Sequence, residues 1–166
     1  PGFEDFDTIV NVQGDEPFIG RRAIEGAAGM VSSGRFPLGT SASPASWDIA
    51  GNPGIVKVVV GDDGRALYFS RAGIPFVRDR EAIGSVDIRM LQHIRVYAYT
   101  RDALVKWVSL PPHPLENTER LEQLRPLAAG MAIGVSIAEE PPASGIDTED
   151  DLAAANARWQ EFTAGR

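Results

Sequence analysis

Two aspartates, Asp15 after an apolar run and Asp147 after a loop containing Gly145, are the residues of this chain best placed to do chemistry. Asp15 comes after Ile9-Val10-Asn11-Val12-Gln13-Gly14 and before Glu16-Pro17. A short β-branched run with few charges reads as a strand buried on both faces. Gly14 and Pro17 end it, so Asp15 and Glu16 are expected where a parallel strand leaves its sheet. Open α/β folds bind ligands at that edge. A carboxylate there has three jobs open to it: metal ligand, acceptor for a ribose hydroxyl, or cap of the next helix. A solvated turn carboxylate is the plainer alternative. The second cluster is Gly145-Ile146-Asp147-Thr148-Glu149-Asp150-Asp151-Leu152. Thr148 with Asp151 three residues on reads as a capping box, and acids suit a helix N-terminus. That accounts for Glu149, Asp150 and Asp151, but Asp147 lies before the cap. Two carboxylates from separate strand ends, Asp15 and Asp147, could hold one Mg²⁺. This ion takes one or two protein carboxylates and leaves its other positions to water and phosphate oxygens.

The elements that must position these groups alternate along the chain, which favours an α/β fold. Strands are expected at residues 8–13, 38–43, 55–60, 66–70, 93–100 and 133–138. The pair 55–60 and 66–70 flanks Gly61-Asp62-Asp63-Gly64, a hairpin signal. Helices are expected at 21–33, where Ile24, Ala27, Ala28 and Val31 fall at helical spacing, and at 102–109, burying Leu104, Trp107 and Val108. A helix at 115–129 should end or kink near Arg125, because Pro126 lies inside it. The last helix, 148–162, places Leu152, Ala155, Trp159 and Phe162 on one side. Trp107 and Trp159 read as core. Residues 44–51 read as a turn or helical stub, and 72–86 as a loop whose Arg78-Asp79-Arg80-Glu81 is a solvated charge run.

At 166 residues the chain is one domain's worth, residues 1–166, and can bury its own core. The net charge of −7 argues against a general nucleic-acid binder, since no basic cluster is present to neutralise phosphates. It leaves room for a single nucleotide. The absence of cysteine removes disulfides, thiolate nucleophiles and cysteine metal sites, and fits a cytoplasmic protein. No apolar run approaches the ~18 residues of a membrane span. The start, without an initiator methionine and with a strand arriving almost at once, reads as a chain entered from upstream.

Six segments occur in an order that resembles the CMP-KDO synthetase family, the 3-deoxy-manno-octulosonate cytidylyltransferases of the nucleotide-diphospho-sugar transferase superfamily. They are Val12-Gln13-Gly14-Asp15-Glu16-Pro17; Asn52-Pro53 with Val56-Lys57-Val58-Val59; Ala66-Leu67-Tyr68-Phe69-Ser70-Arg71; Pro114-Leu115-Glu116; Leu121-Glu122-Gln123-Leu124-Arg125; and Asp147-Thr148. The resemblance implies a Rossmann-like α/β fold with a mixed, mostly parallel sheet and flanking helices, here lacking the first strands. It implies transfer of CMP from CTP to 3-deoxy-manno-octulosonate (KDO) with release of pyrophosphate, for cell-surface lipopolysaccharide. It also implies Mg²⁺ as cofactor, held by Asp15 and Asp147, and a homodimer with no nucleic-acid or membrane partner. By matching motif the sugar-acid pocket looks like Gln13, Arg71, His93, Tyr97, Glu122 and Gln123.

Each of these has a plainer alternative. An arginine after a strand often pairs with a surface acid. His93 and Tyr97, four apart on one strand, share a face whatever their role. Glu122 and Gln123 read as a solvated helix face. His113 reads as loop, and Lys57 as a strand-edge charge or a phosphate partner. The pattern also departs from the family. A basic, glycine-containing phosphate loop and a cytosine-binding segment are missing, so the chain resembles the later two-thirds of the enzyme. Arg95 stands where the family has a small residue, and should either fill the pocket or meet a second anionic group. Pro126 interrupts a helix that the family continues, and Pro142-Ala143-Ser144-Gly145 replaces a more glycine-rich approach to the second aspartate. The alternatives left open are a cytidylyltransferase for another sugar acid or a phosphonate, and a non-catalytic remnant or binding module.

Overall fold

In the computed structural model, residues 5–79, 89–139, 145–146 and 148–164 are described. Six strands form one mixed sheet: β1 (Thr8–Val12), β2 (Leu38–Pro44), β3 (Lys57–Val60), β4 (Ala66–Ser70), β5 (Leu91–Thr100) and β6 (Ile133–Ile137). The helices are α1 (Arg21–Ser32), α2 (Arg101–Ser109), α3 (Pro114–Glu119), α4 (Leu124–Ala128) and α5 (Glu149–Ala164). The path runs β4-β3-β5-β2-β6, and β1 pairs with the C-terminal half of β5. The ten-residue β5 is the organising strand, bonded to β3 and β1 along one edge and to β2 along the other.

The mixed sheet with flanking helices is the expected class, but its strands are not mostly parallel. Among the described strands only β2 and β6 pair in parallel, because β5 runs opposite to all three of its neighbours. The Asp15 strand therefore leaves the sheet from an antiparallel pair. It is also less buried than its composition suggests. Ile9 packs on the core, whereas Val10 and Val12 are 37% and 39% exposed.

The two faces of β5 follow the period of two. Ile94, Val96 and Ala98 face α1 and pack with its Ala23, Ala27 and Val31, spaced four apart. Gly39 lets α1 approach, since a Cβ there would strike the carbonyl of Ala27. His93, Tyr97 and Tyr99 face the other way, where Tyr99 and Tyr97 meet Trp107 of α2 at ring-centroid distances of 5.5 and 5.9 Å. Phe69, Val58, Leu121, Leu124 and Ile133 complete that core. Truncating Phe69, fully buried, would cost about 3–5 kcal/mol.

Four helical expectations change. The single helix expected at 115–129 is two short ones, broken at Arg120 with φ 54° rather than near Arg125. Pro126 sits in the first turn of α4, where a missing N–H has no partner to lose. His113 is not plain loop: its Nδ1 accepts from the Leu115 amide and caps α3. Val108 is exposed, leaving Ala103 and Trp107 as the buried face of α2. On α5 Leu152 and Trp159 are also exposed, at 43% and 53%, so Trp159 is not core. Its ring lies 6.4 Å from that of Phe18. The Thr148–Asp151 capping box is present, with Thr148 Oγ1 donating to Asp151 over 2.7 Å and accepting from its amide. Asp147, Arg80, Glu81, Pro142–Ser144 and the Phe162 side chain lie outside the described residues.

Candidate active site

Strand alternation brings His93, Arg95 and Tyr97 to one face of β5, and the break between α3 and α4 brings Leu121, Glu122 and Gln123 over it. The end of β1 supplies Gln13 and the end of β4 supplies Arg71. Together these line one cavity of about 200 Å³, with Gly54, Val56 and Arg120. All six residues expected to bind the sugar acid meet there. Two larger clefts, of about 520 and 420 Å³, are lined mainly by apolar groups such as Trp47, Phe76, Val58 and Leu91 and lack a convergent polar set. Polar convergence, not size, marks the smaller cavity as the candidate site.

Two residues of the cavity lining carry buried acceptors without a partner. Thr40 Oγ1 lies 2.7 Å from the Val96 carbonyl and 3.3 Å from that of Ile94, so its single proton is donated to the backbone. It must then accept from His93 Nε2, 2.8 Å away. The network thus assigns the His93 proton to Nε2, leaving Nδ1 a buried acceptor with no partner. Burial, aided by the Arg95 cation, pulls the His93 pKa down to about 3. The ring is neutral at any ordinary pH. Gln123 is 1% exposed and its Oε1 also lacks a partner. Buried polar atoms are nearly always satisfied, so two bare acceptors lining one cavity need an explanation. Tyr97 is buried with its hydroxyl bonded to the Glu122 carboxylate; burial first, and that carboxylate second, push its pKa well up. Glu122 itself is exposed, while Gln123 is not the solvated residue that its helix pattern suggests.

Arg71 is held rather than solvated. Nε donates to the Glu119 carbonyl over 2.7 Å, Nη1 to Pro53 over 2.8 Å and Nη2 to Arg120 over 3.2 Å. Three of its five N–H groups are used in posture, and the others remain for a ligand. The Glu119 carboxylate accepts from Ser70 Oγ at 2.6 Å and from the Arg71 amide at 2.9 Å, fixing the end of β4. Lys57 is neither a strand-edge charge nor a phosphate partner. It is fully buried, and its ammonium donates to the carbonyls of Asn52, Ile55 and Arg71 at 2.6–2.8 Å. Burial lowers its pKa. Thr40, Glu119 and Arg120 were not expected here. Ala66-Leu67-Tyr68-Phe69-Ser70-Arg71 pointed to Arg71, but nothing local points to its carboxylate partner 48 residues on.

Asp15 lies at the rim. Arg95 joins it to the cavity: Nη2 is 3.4 Å from Asp15 Oδ2, while Nη2 and Nε donate to Glu16 Oε1 at 2.7 and 3.1 Å. The long cation thus meets anionic groups of the protein itself. The Ile146 amide donates to the Asp15 carbonyl over 2.9 Å. Among the described residues no three His, Cys, Asp or Glu side chains gather as a preformed cage. A partly exposed aspartate with hard oxygens at a rim instead fits an ion such as Mg²⁺, which keeps several waters and takes few protein ligands.

The cytidylyltransferase family model matches residues 2–133. A 3-deoxy-manno-octulosonate cytidylyltransferase of Gemmatimonas aurantiaca is 56% identical over 164 residues, 99% of this chain and 63% of the relative. A solved CMP:2-keto-3-deoxy-manno-octonic acid synthetase, complexed with CTP, superposes with TM-score 0.84 at 37% identity, over 94% of this chain and 63% of its own. The inositol-1-phosphate CTP transferase of T. maritima shares the fold alone, with TM-score 0.56 at 17% identity over 89% of this chain and 52% of its own. The chain therefore spans 63% of the length of the first two relatives. The chain belongs to the cytidylyltransferase family.

Proposed function

We propose that the protein transfers CMP from CTP to KDO and releases pyrophosphate, with the cavity as the sugar-acid site and Asp15 and Asp147 as ligands of Mg²⁺. The carrying observation is the convergence of two bare buried acceptors, His93 Nδ1 and Gln123 Oε1, with the Arg71 guanidinium in one cavity beside Asp15. Bare acceptors call for hydroxyl donors, and a guanidinium with N–H groups to spare calls for a carboxylate. A polyhydroxy acid carries both. The relatives named for KDO add to this reading.

The chemistry needs positioning more than a protein nucleophile. The anomeric oxygen of the acceptor forms a bond to the α-phosphorus of CTP as the bond to the departing pyrophosphate breaks, and the hydroxyl proton passes to solvent. His93 accepts a hydrogen bond from the acceptor and orients it, but a ring with a pKa of about 3 does not take up a second proton at neutral pH. Tyr97, held by Glu122, and Gln13 complete the wall against which the sugar lies. Mg²⁺, when bound, supplies charge neutralisation at phosphate oxygens. The reaction uses water-soluble substrates, and we place it in the cytoplasm, carried out by a homodimer.

The test is pyrophosphate release by the full-length gene product. Release is expected only when CTP, Mg²⁺ and KDO are all present. Asp15→Asn or Asp147→Asn should remove most turnover with the circular dichroism spectrum unchanged. Full activity in both variants would refute the metal assignment, and turnover with other acids but none with KDO would refute the acceptor.

A further inference from the structure

We propose that Arg95 couples the rim to the cavity: its guanidinium neutralises Asp15 and Glu16 until a divalent cation takes Asp15, and then joins Arg71 at the carboxylate of the acceptor. This rests on the site reading above, but goes beyond it by giving the two ligands an order and a shared residue.

Three observations carry the inference. First, one side chain belongs to both places, since Arg95 lines the acceptor cavity while lying 3.4 Å from Asp15 Oδ2. Second, its contacts with the two acids are unequal. The Glu16 bonds, at 2.7 and 3.1 Å, have hydrogen-bond lengths, and Glu16 is only 12% exposed. The Asp15 contact is longer than the 2.7–2.9 Å typical of a charge-assisted bond, and both partners are more than a third exposed. Such a pair contributes little and is easily surrendered to a doubly charged ion. Third, Gly145 lies close against both the guanidinium and the Asp15–Glu16 turn. A Cβ on Gly145 would stand 2.9 Å from Arg95 Nη2 and 3.3 Å from both the Asp15 carbonyl and Glu16 Oε1. A cation on Asp15 repels the guanidinium beside it, so the arginine shifts toward the cavity that it already lines.

Linkage then requires reciprocity: the ion raises acceptor affinity by the factor by which the acceptor raises ion affinity. The experiment uses the full-length protein without nucleotide. Free Mn²⁺ is followed by its electron paramagnetic resonance signal, with and without KDO, and KDO binding is followed by calorimetry, with and without Mg²⁺. In the wild type both affinities should rise about tenfold, by equal factors. In Arg95→Gln, which keeps the stem, Mn²⁺ alone should bind several-fold tighter and the coupling factor should fall to near one. Arg95→Lys, which keeps the charge, should retain part of the coupling and guards against a folding defect in the first variant. Unchanged Mn²⁺ affinity in Arg95→Gln, or a wild-type coupling factor of one, would overturn the inference while leaving the acceptor site standing. A wild type that binds no KDO at any ion concentration would instead overturn the site reading on which it rests.

Discussion

The amide of Ile146 donates to the carbonyl of Asp15 over 2.9 Å, tying the segment before the last helix to the end of the first strand. Gly145 makes this approach possible, because a side chain there would meet both the Asp15 backbone and the Arg95 guanidinium. The far end of an arginine can give way, whereas a carbonyl cannot without moving the rim. Gly145→Ala is therefore expected to cost little stability, about 1 kcal/mol or less, yet to raise the Mg²⁺ needed for half-maximal pyrophosphate release several-fold. Thermal melts and an Mg²⁺ titration check both halves. An unchanged titration would mean that the rim tolerates a side chain.

His93 gives the fold a defined acid sensitivity. Its pKa is about 3 when folded, against roughly 6.5 in an unfolded chain. Between these values the unfolded state binds more protons, so stability falls as the pH drops from 6.5 toward 3, and His93 adds no slope above 6.5. One proton gives a slope approaching about 1.4 kcal/mol per pH unit. Urea unfolding of wild type and His93→Gln at pH 7, 6 and 5 isolates the effect, since other groups cancel in the difference. The stability deficit of the variant should narrow as the pH falls. A constant gap would show that the folded ring accepts a proton readily.

Gln123 separates stability from binding. Its buried Oε1 has no partner, and an unsatisfied buried acceptor is a cost that folding bears without return. Gln123→Met keeps the volume and removes the acceptor. The variant should be as stable as wild type or more so, while its KM for KDO rises at least tenfold. A destabilised variant with normal KM would place Oε1 in the packing and not in the site.

Some of this was legible in the chain because it is local. The spacing of Ala27 and Val31 announces α1, Gly61-Asp62-Asp63-Gly64 announces the β3–β4 hairpin, and the four-residue interval from His93 to Tyr97 puts both on one face. What was not legible depends on neighbours. The valines of β1 suggest a strand buried on both faces, but burial is decided by what covers them, and Val10 and Val12 stay partly exposed. The break at Arg120 requires a left-handed backbone that an arginine does not advertise. Pro126 draws the eye to the wrong position because a proline is harmless in a first turn. The Thr40 that sets the His93 tautomer comes from an adjacent strand, just before a bulge in its pairing with β5. The motif order could give the six cavity residues but not the groups that hold them.

Lys57 is the sharpest case of such a holding group. A compact ammonium meets three carbonyls from three places, Asn52, Ile55 and Arg71, and so pins the turn before β3 to the end of β4. Gly54, Val56 and Arg71, which line the cavity, all depend on that node. Lys57→Met should remove the donor that three carbonyls share, leaving Asn52 with only the Ile55 amide, and lower stability by about 2–4 kcal/mol. Lys57→Arg should not restore it, because a planar fork cannot replace a point donor among acceptors at 2.6–2.8 Å. In whatever fraction folds, KM for KDO should rise more than kcat falls, since the lysine acts on the posture of Arg71 and not on the phosphate. Urea melts together with a split of KM against kcat decide the matter: a stable variant with an unaltered KM would show that the turn and the strand end hold their places without the buried cation.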